Sequence, residues 1–204
     1  MARWLLIIAL AVAALLAVTQ LAIPPIAEHR IEDRLTEGGG SADASLSAFP
    51  AARLLFGDGK KLSVTGSELD LGLEQRTDVF EQLDGFDRVD VSLTRFHAGP
   101  FDVARFDLDR PAPEAPYHLV SNSRTTAGAL AEYGASRLGL PGGPLLRFFT
   151  DQALGRDRPI PVNLDMDLRS EGSRVIVVSG GGSVAGYPTG PLAELITATI
   201  AVRL

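Results

Sequence analysis

The chain has 204 residues and no cysteine, and lysine occurs only at Lys60 and Lys61. The lack of cysteine excludes disulfides, thiolate chemistry and cysteine-bound metal, so packing alone must hold the fold together. The formal net charge is −6. An acidic chain is a poor match to nucleic acid, whose phosphates are neutralised by clustered lysine and arginine. We therefore expect no nucleic-acid partner.

Recognisable catalytic and cofactor motifs are also lacking. The three histidines, His29, His97 and His118, are not spaced as metal ligands. Neither a G-x-S-x-G nucleophile elbow nor a phosphate-binding loop is present. The glycine-rich run at 179–186 lacks the spacing of a dinucleotide site, and we predict that it forms a flexible turn. We expect no metal, no cofactor and no enzymatic activity.

Paired carboxylates are the remaining candidates for chemistry. Asp107 and Asp109 are two residues apart in an alternating segment, and so are Asp165 and Asp167. This spacing in a strand places both carboxylates of a pair on one face. Such pairs can bind calcium or act as acid and base. No further ligand stands near either pair in the sequence, so a solvated sheet face is the better interpretation.

The N-terminus carries the longest apolar run. Trp4 to Ile23 follows Arg3 and precedes Pro24 and Pro25, which are expected to end a helix. As a helix, Leu5 to Ile23 spans about 28 Å, close to one hydrocarbon core. The positive-inside rule places its start in the cytoplasm. We predict that residues 1–25 form a membrane anchor, or alternatively a cleaved signal peptide, and that the rest is extracytoplasmic, or secreted after cleavage.

Residues 26–204 are predicted to form a single exported α+β domain. Its sheet would be curved and antiparallel, with one wet face and with apolar helices wrapped over the other. Alternating apolar residues predict strands at 62–73 and 89–93, a frame shift between Val103 and Phe106 predicts a bulge, and the clearest hairpin is at 162–177.

The remaining segments are predicted to be helices and connections. Helices are expected at 27–35, at 77–83, from Ser123 to Leu138 and from Pro144 onward. Residues 36–45 read as a flexible joint. The tail at 191–204 fits a helix face or a strand, and its proline start favours a helix.

Two short apolar clusters stand out in this domain. One lies between two strands and is followed by the lysines, so we predict a short apolar helix or loop at one end of the sheet. The plain interpretation is that both clusters belong to the core. The alternative is that they form the apolar wall of a lipid cavity with a basic rim for the head group. The wall residues are Phe49, Leu54, Leu55, Phe56, Leu145, Leu146, Phe148 and Phe149, and the rim residues are Arg53, Lys60 and Lys61.

After the apolar run, a short charged helix is followed by a strand, a Phe-Pro pair, an apolar segment with a glycine and a second alternating strand. The residues of this pattern are Ala27, Glu28, Arg30, Leu35, Phe49, Pro50, Leu54, Leu55, Gly57, Leu62, Val64 and Leu69. Their order resembles the LmeA-type family of actinobacterial phospholipid-binding envelope proteins. The resemblance covers most of residues 24–204, although Ala48 stands where family members tend to have glycine. It implies a tubular-lipid-binding-like fold in the cell envelope that holds phospholipid and has no catalytic residues.

Three functional hypotheses follow. The first is a protein anchored in the membrane through residues 4–23 that holds or transfers a phospholipid or glycolipid outside the cell membrane. The second is a structural or adaptor module that supports envelope biosynthesis without holding lipid. The third, and least favoured, is an envelope lipid hydrolase. The sequence specifies no protein partner.

Overall fold

The computed structural model describes residues 2–71, 79–138, 157–171 and 174–188, and the fold is described for these ranges. The helices are α1 (Ala2–Thr36), a 3-10 helix (Ala51–Phe56), α2 (Val79–Asp84) and α3 (Ala127–Leu138). The strands are β1 (Ser41–Ser47), β2 (Gly59–Ser67), β3 (Asp70–Leu71), β4 (Phe86–Ala98), β5 (Phe101–Arg110), β6 (Tyr117–Thr126), β7 (Pro159–Glu171), β8 (Arg174–Val184) and β9 (Tyr187–Pro188).

The strands form one open, curved sheet in the order β1-β2-β4-β5-β6-β7-β8-β9, with β3 paired to β4. Neighbouring strands are antiparallel except that β2 and β3 run parallel to β4. The predicted α+β class and mostly antiparallel sheet are therefore confirmed. The predicted second apolar helix from Pro144 and the tail at 191–204 lie outside the described residues.

One face of the sheet is buried because apolar residues alternate along its strands. Leu62 and Val64 of β2 are buried, as are Leu164, Met166 and Leu168 of β7. The intervening residues are mostly exposed, so the other face is polar. The sequence predicted this division correctly, because a period of two is a local property of the chain. The predicted bulge is also confirmed by a register shift between Val103 and Arg105.

Helix α1 lies along the free edge of β1 and supplies hydrogen-bond acceptors to it. The Ala44 amide donates to the Glu32 carboxylate at 3.0 Å, and the Leu46 amide donates to the Glu28 carboxylate at 2.7 Å. Glu28 and Glu32 are four residues apart and so share one helix face. These carboxylates satisfy amides that an edge strand otherwise leaves open to other chains.

The prediction that Pro24 and Pro25 end the helix is wrong, since α1 continues through both of them to Thr36. Gln20, before the prolines, accepts a hydrogen bond from the Ala51 amide and donates one to the Ala48 carbonyl, both at 2.8 Å. The two glutamates fasten the helix after the prolines. Contacts on both sides therefore compensate for the backbone hydrogen bonds that proline removes. Among residues whose side chains the structure describes, which in α1 begin at Thr19, no helix is long and apolar enough to span a membrane.

The predicted flexible joint at 36–45 is also wrong, because Ser41–Ser47 pairs with β2. Only residues 37–40 turn the chain, and the backbone there is closely packed. A Cβ on Gly40 would lie 2.4 Å from the Glu68 carbonyl oxygen, and Gly40 has a φ of +89°. Glycine is required at such a position, so the run of glycines marks a tight corner rather than a loose linker.

Two further boundaries differ from prediction. Residues 123–126 continue β6 because they pair with β7, and α3 begins at Ala127, where the Thr126 hydroxyl accepts a hydrogen bond from the Ala129 amide. The glycine-rich run at 179–186 is mainly strand, with the turn confined to its last two residues. Gly180, with a φ of +84°, lets β8 approach the Asp165 carbonyl of β7 closely. Tertiary pairing overrides the local helix and turn signals here.

Candidate lipid head-group site and apolar tip

The segment between β1 and β2 folds as the sequence predicts, into a short helix at one end of the sheet. The 3-10 helix follows Pro50 and ends at Gly57, whose φ of 78° closes the last turn. The Gly57 amide donates to the Leu54 carbonyl at 3.2 Å, and the Asp58 amide donates to the Arg53 carbonyl at 3.1 Å. Glycine at this left-handed cap allows the chain to turn directly into β2.

Close backbone packing fixes the 3-10 helix against the start of β4. The Gly59 amide donates to the Gly85 carbonyl at 3.0 Å. A Cβ on Gly85 would lie only 2.1 Å from the Gly57 carbonyl oxygen. Only glycine at position 85 permits this approach. These backbone contacts fix the C-terminal end of the 3-10 helix against the start of β4.

The predicted apolar wall divides into buried and exposed members. Leu54 is half-buried and packs against the core. Phe49, Leu55 and Phe56 are 71%, 70% and 83% exposed, and we call these three residues the apolar tip. The other predicted members, Leu145, Leu146, Phe148 and Phe149, lie outside the described residues.

Beside the apolar tip lies a cleft of about 410 Å³. Lys61 is the cross-strand neighbour of both Ser47 and Arg88, which joins the end of β1 to the starts of β2 and β4. Two predicted rim residues, Lys60 and Lys61, line the cleft, whereas Arg53 is not part of its lining. The complete lining is Lys60, Lys61, Asp87, Arg88, Pro111, Ala112 and Pro113. We call this end of the sheet the basic end.

Arg88 was not predicted from the sequence. It stands among the polar residues of an alternating strand, and only its register with Lys61 reveals its role. Its Nε donates to the Pro111 carbonyl at 3.4 Å, which holds the guanidinium at the cleft wall. Parallel pairing of β2 with β4 brings the starts of both strands together. The local sequence of neither strand specifies that the two strands pair in parallel.

A polar network centred on the buried Arg110 lies at the basic end. Arg110 is 3% exposed, and its Nη1 donates to the Asp84 carboxylate at 2.8 Å. The Tyr117 hydroxyl donates to the same carboxylate at 2.8 Å, and the Arg110 guanidinium lies 4.6 Å from the Tyr117 ring centre. Arg110 also donates to the Phe86 carbonyl. Burial, and then the Asp84 hydrogen bond, raise the pKa of Tyr117 above its ordinary value. The network ties the end of α2 to β4 and β5.

The polar face of the sheet carries a second side-chain cluster, across β6, β7 and β8. His118 Nδ1 lies 3.0 Å from Asp167 Oδ1, and the Ser179 hydroxyl donates to Asp167 at 2.5 Å. The Asp167 hydrogen bond raises the pKa of His118, and bonds from Ser179 and His118 lower the pKa of Asp167. Hydrolytic triads need the histidine between serine and aspartate, whereas here the aspartate is central. Because the Ser179 hydroxyl bonds the aspartate and not the histidine, this arrangement does not activate it as a nucleophile.

Carboxylates gather on this face without forming a metal centre. Asp90 faces Asp109 across β4 and β5, and Asp165 lies two residues before Asp167. In the described part of the chain, no group of three or more potential ligands is arranged to hold a metal ion. The predicted solvent-facing placement of these acids is what the structure shows.

Comparison with known proteins supplies no relative. No family model matches the chain, and searches of curated proteins and of solved structures also found no significant match. The resemblance to the LmeA-type family therefore remains a prediction from the sequence.

Proposed function

We propose that the protein is a membrane-anchored, extracytoplasmic phospholipid-binding protein that holds or transfers lipid in the cell envelope. The observation that supports this proposal most is the convergence of Lys60, Lys61 and Arg88 in one cleft beside the exposed apolar tip. Basic groups next to exposed apolar groups match the two parts of a phospholipid. The anchor in this proposal is the apolar run at residues 4–23.

The cleft suits a phosphate head group by its size and its donors. Ligand sites occupy about 300–1,000 Å³, so a volume of about 410 Å³ fits a head group and its glycerol. Arg88 can contact two phosphate oxygens at once, while the lysines act as mobile point charges. Asp87 supplies an acceptor for a hydroxyl or ammonium group on the same head group. The proposed ligand is accordingly a phospholipid or a phosphate-bearing glycolipid.

The acyl chains require an apolar surface that begins near the cleft. Leu54 of the 3-10 helix packs against the core, and Phe86, at the start of β4, is also half-buried against it. Each buried methylene contributes about 0.8 kcal/mol, so an apolar path of moderate length suffices for stable binding. We propose that apolar helices cover the buried face of the sheet and complete this path, as in a tubular lipid-binding fold.

The proposal is tested by photo-cross-linking in the full-length chain. The protein is reconstituted in vesicles that contain phosphatidylglycerol with a photoactivatable group near its glycerol. We expect adducts in the peptides that contain Lys60, Arg88 and Pro111. Adducts confined to the first 25 residues would contradict the proposal, because an anchor alone would produce them.

A charge-reversal pair sharpens this experiment. Lys60→Glu with Lys61→Glu should lower cleft labelling roughly tenfold or more, since each basic residue near an anionic surface contributes about 1 kcal/mol. The matched control, Arg124→Glu with Arg158→Glu, makes the same change in net charge at exposed positions near the other end of the sheet. Equal loss in both double variants would show that net charge, and not the cleft, determines labelling.

A further inference from the structure

We propose that the apolar tip, Phe49, Leu55 and Phe56, inserts into the membrane interface, so that the domain meets the bilayer at a second point besides its anchor. This inference rests on the membrane-anchored part of the proposed function. It does not require the cleft to hold lipid. It assigns a bilayer-facing role to side chains that contribute little to the core.

The first argument is the position of the tip along α1. The Gln20 side chain bonds both Ala48 and Ala51, the residues that flank the cis Phe49–Pro50 peptide bond. Gln20 belongs to the last turn of the apolar run and lies three residues before Ile23, about 5 Å along a helix axis. If the run crosses the hydrocarbon core, the loop that carries Phe49 therefore sits at the boundary of that core.

The second argument is exposure at this same level. The three tip residues are each at least 70% exposed, and Leu21, next to Gln20 on α1, is 79% exposed. Single exposed apolar residues are ordinary, but a cluster of large ones at one point marks an interaction surface. Phenylalanine and leucine are among the residues that interfacial membrane segments bury at the acyl boundary.

The third argument is the charge around the tip. Arg53 lies within the 3-10 helix, and Lys60 and Lys61 follow it. Apolar side chains that enter the acyl boundary, flanked by cations that meet lipid phosphates, are the arrangement of interfacial membrane segments. A protein partner with an apolar groove would not need these cations. The bilayer is therefore the occupant that the tip and its surroundings fit.

The absence of cysteine makes the test direct. Leu55→Cys in the full-length chain is labelled with an environment-sensitive fluorophore and reconstituted in phosphatidylglycerol-containing vesicles with brominated acyl chains. The control is Ala104→Cys, an exposed site in β5 about 20 Å along the strand from Arg110. We expect a blue-shifted label at position 55, quenched several-fold more strongly by the brominated lipid than the label at position 104.

Equal, weak quenching at both positions would overturn the inference, because it would show that the tip does not enter the bilayer. A second variant guards against a label that partitions by itself. With Phe49→Ser and Phe56→Ser added, quenching at position 55 should fall towards that at 104, and unchanged quenching would count against insertion by the tip. Cleft cross-linking measures the proposed function separately, so either idea can fail alone.

Discussion

Several strands end at each of the two ends of the sheet, and the charged side chains at the two ends are arranged differently. At the far end, where β4 turns into β5, exposed charges pair locally. Arg95 lies 3.6 Å from Glu68, and His97 lies 2.6 Å from Asp102. At the basic end, the charge that holds the strands together is the buried Arg110. Among the described residues, Lys60 and Lys61 form no ion pair there.

This difference separates charges that stabilise the fold from charges that are open to a ligand. The far end pairs Arg95 and His97 with neighbouring carboxylates, and among the described residues it leaves no apolar side chain comparable to the tip. The basic end buries one cation for stability and leaves others open in a cleft. Exposed pairs contribute little to stability, while a buried pair is costly to break. Substitutions at the two ends should therefore differ in size, and at the basic end stability and lipid binding should be separable.

The largest expected effect comes from Arg110→Ala. Removal of the guanidinium leaves the Asp84 carboxylate without its cation and the Phe86 carbonyl without its donor, and it exposes the Tyr117 ring. Asp84 is partly exposed, so we expect a loss of about 3 kcal/mol, at the lower end for a broken buried pair. Urea unfolding of the full-length chain in detergent, followed by circular dichroism, measures it.

The matched variant at the far end is Glu68→Gln, which removes the ion pair with Arg95. Both side chains are about 70% exposed, so the loss should stay below about 0.5 kcal/mol. Similar losses for Arg110→Ala and Glu68→Gln would remove the distinction between the two ends.

Next in size is Gly85→Ala, which tests the backbone approach beneath the 3-10 helix. The added Cβ would meet the Gly57 carbonyl oxygen at 2.1 Å, and a backbone atom cannot move aside cheaply. We expect a destabilisation of about 2 kcal/mol, as for other overpacked sites. Gly57→Ala is the control, because no atom lies within 4 Å of its Cβ and only its φ of +78° costs energy, about 1 kcal/mol. The reverse ranking would contradict this account of the basic end.

The sequence predicted the parts of the basic end that are local. An apolar run interrupted by proline and followed by Gly57 indicates a short helix between strands, and the two lysines indicate its exit. It did not predict that Arg88 joins the lysines, because that depends on the parallel register of β2 and β4. Nor did it reveal the network around Arg110, which occupies a core position in the alternation of β5.

The errors at α1 have the same origin. Helix propensity alone predicts an end at Pro24 and Pro25. What carries the helix onward is its packing on the sheet, where Ala27, Ile31 and Leu35 lie against the core and a row of polar side chains meets the edge of β1. The role of the polar row is visible only once β1 is known to be an edge strand. Glu28 and Glu32, which accept hydrogen bonds from the Leu46 and Ala44 amides, form a clamp on the edge of β1. Their spacing in the sequence is compatible with this clamp but equally compatible with an ordinary solvated helix face.

The clamp is expected to contribute less than the buried network. Glu28→Ala with Glu32→Ala removes acceptors for two edge amides, at about 1 kcal/mol because water can partly replace them. Hydrogen exchange at the Ala44 and Leu46 amides should accelerate. Asp33→Ala, an exposed change on the same helix, should leave both amides protected, and equal acceleration in this control would contradict the clamp.

The clamp should also weaken in acid. The Ala44 amide, followed by His29, lowers the pKa of Glu32 below 4.5. A carboxylate with a lowered pKa in the folded state stabilises the fold above its unfolded pKa, and that stabilisation is lost as pH falls through the folded value. In the wild-type chain, protection of the Ala44 amide, corrected for intrinsic exchange, should therefore fall below about pH 4.5. A protection factor that is constant through this range would contradict the role of Glu32.

The smallest effect concerns the two histidine–aspartate pairs, one towards each end. His118 faces Asp167, Asp109 and Asp165, and the Asp167 hydrogen bond is the main cause of its pKa above 6.5. The charged histidine therefore stabilises the fold below pH 6.5, and this contribution is lost as pH rises through the folded pKa. Asp167→Asn should lower the NMR titration midpoint of His118 towards 6.5 with little change in stability, because the pair is partly exposed. The control is Asp102→Asn, beside His97 at the far end, which should leave the His118 midpoint unchanged. An unaltered His118 midpoint in Asp167→Asn would mean that the carboxylates of this face act collectively rather than through one hydrogen bond.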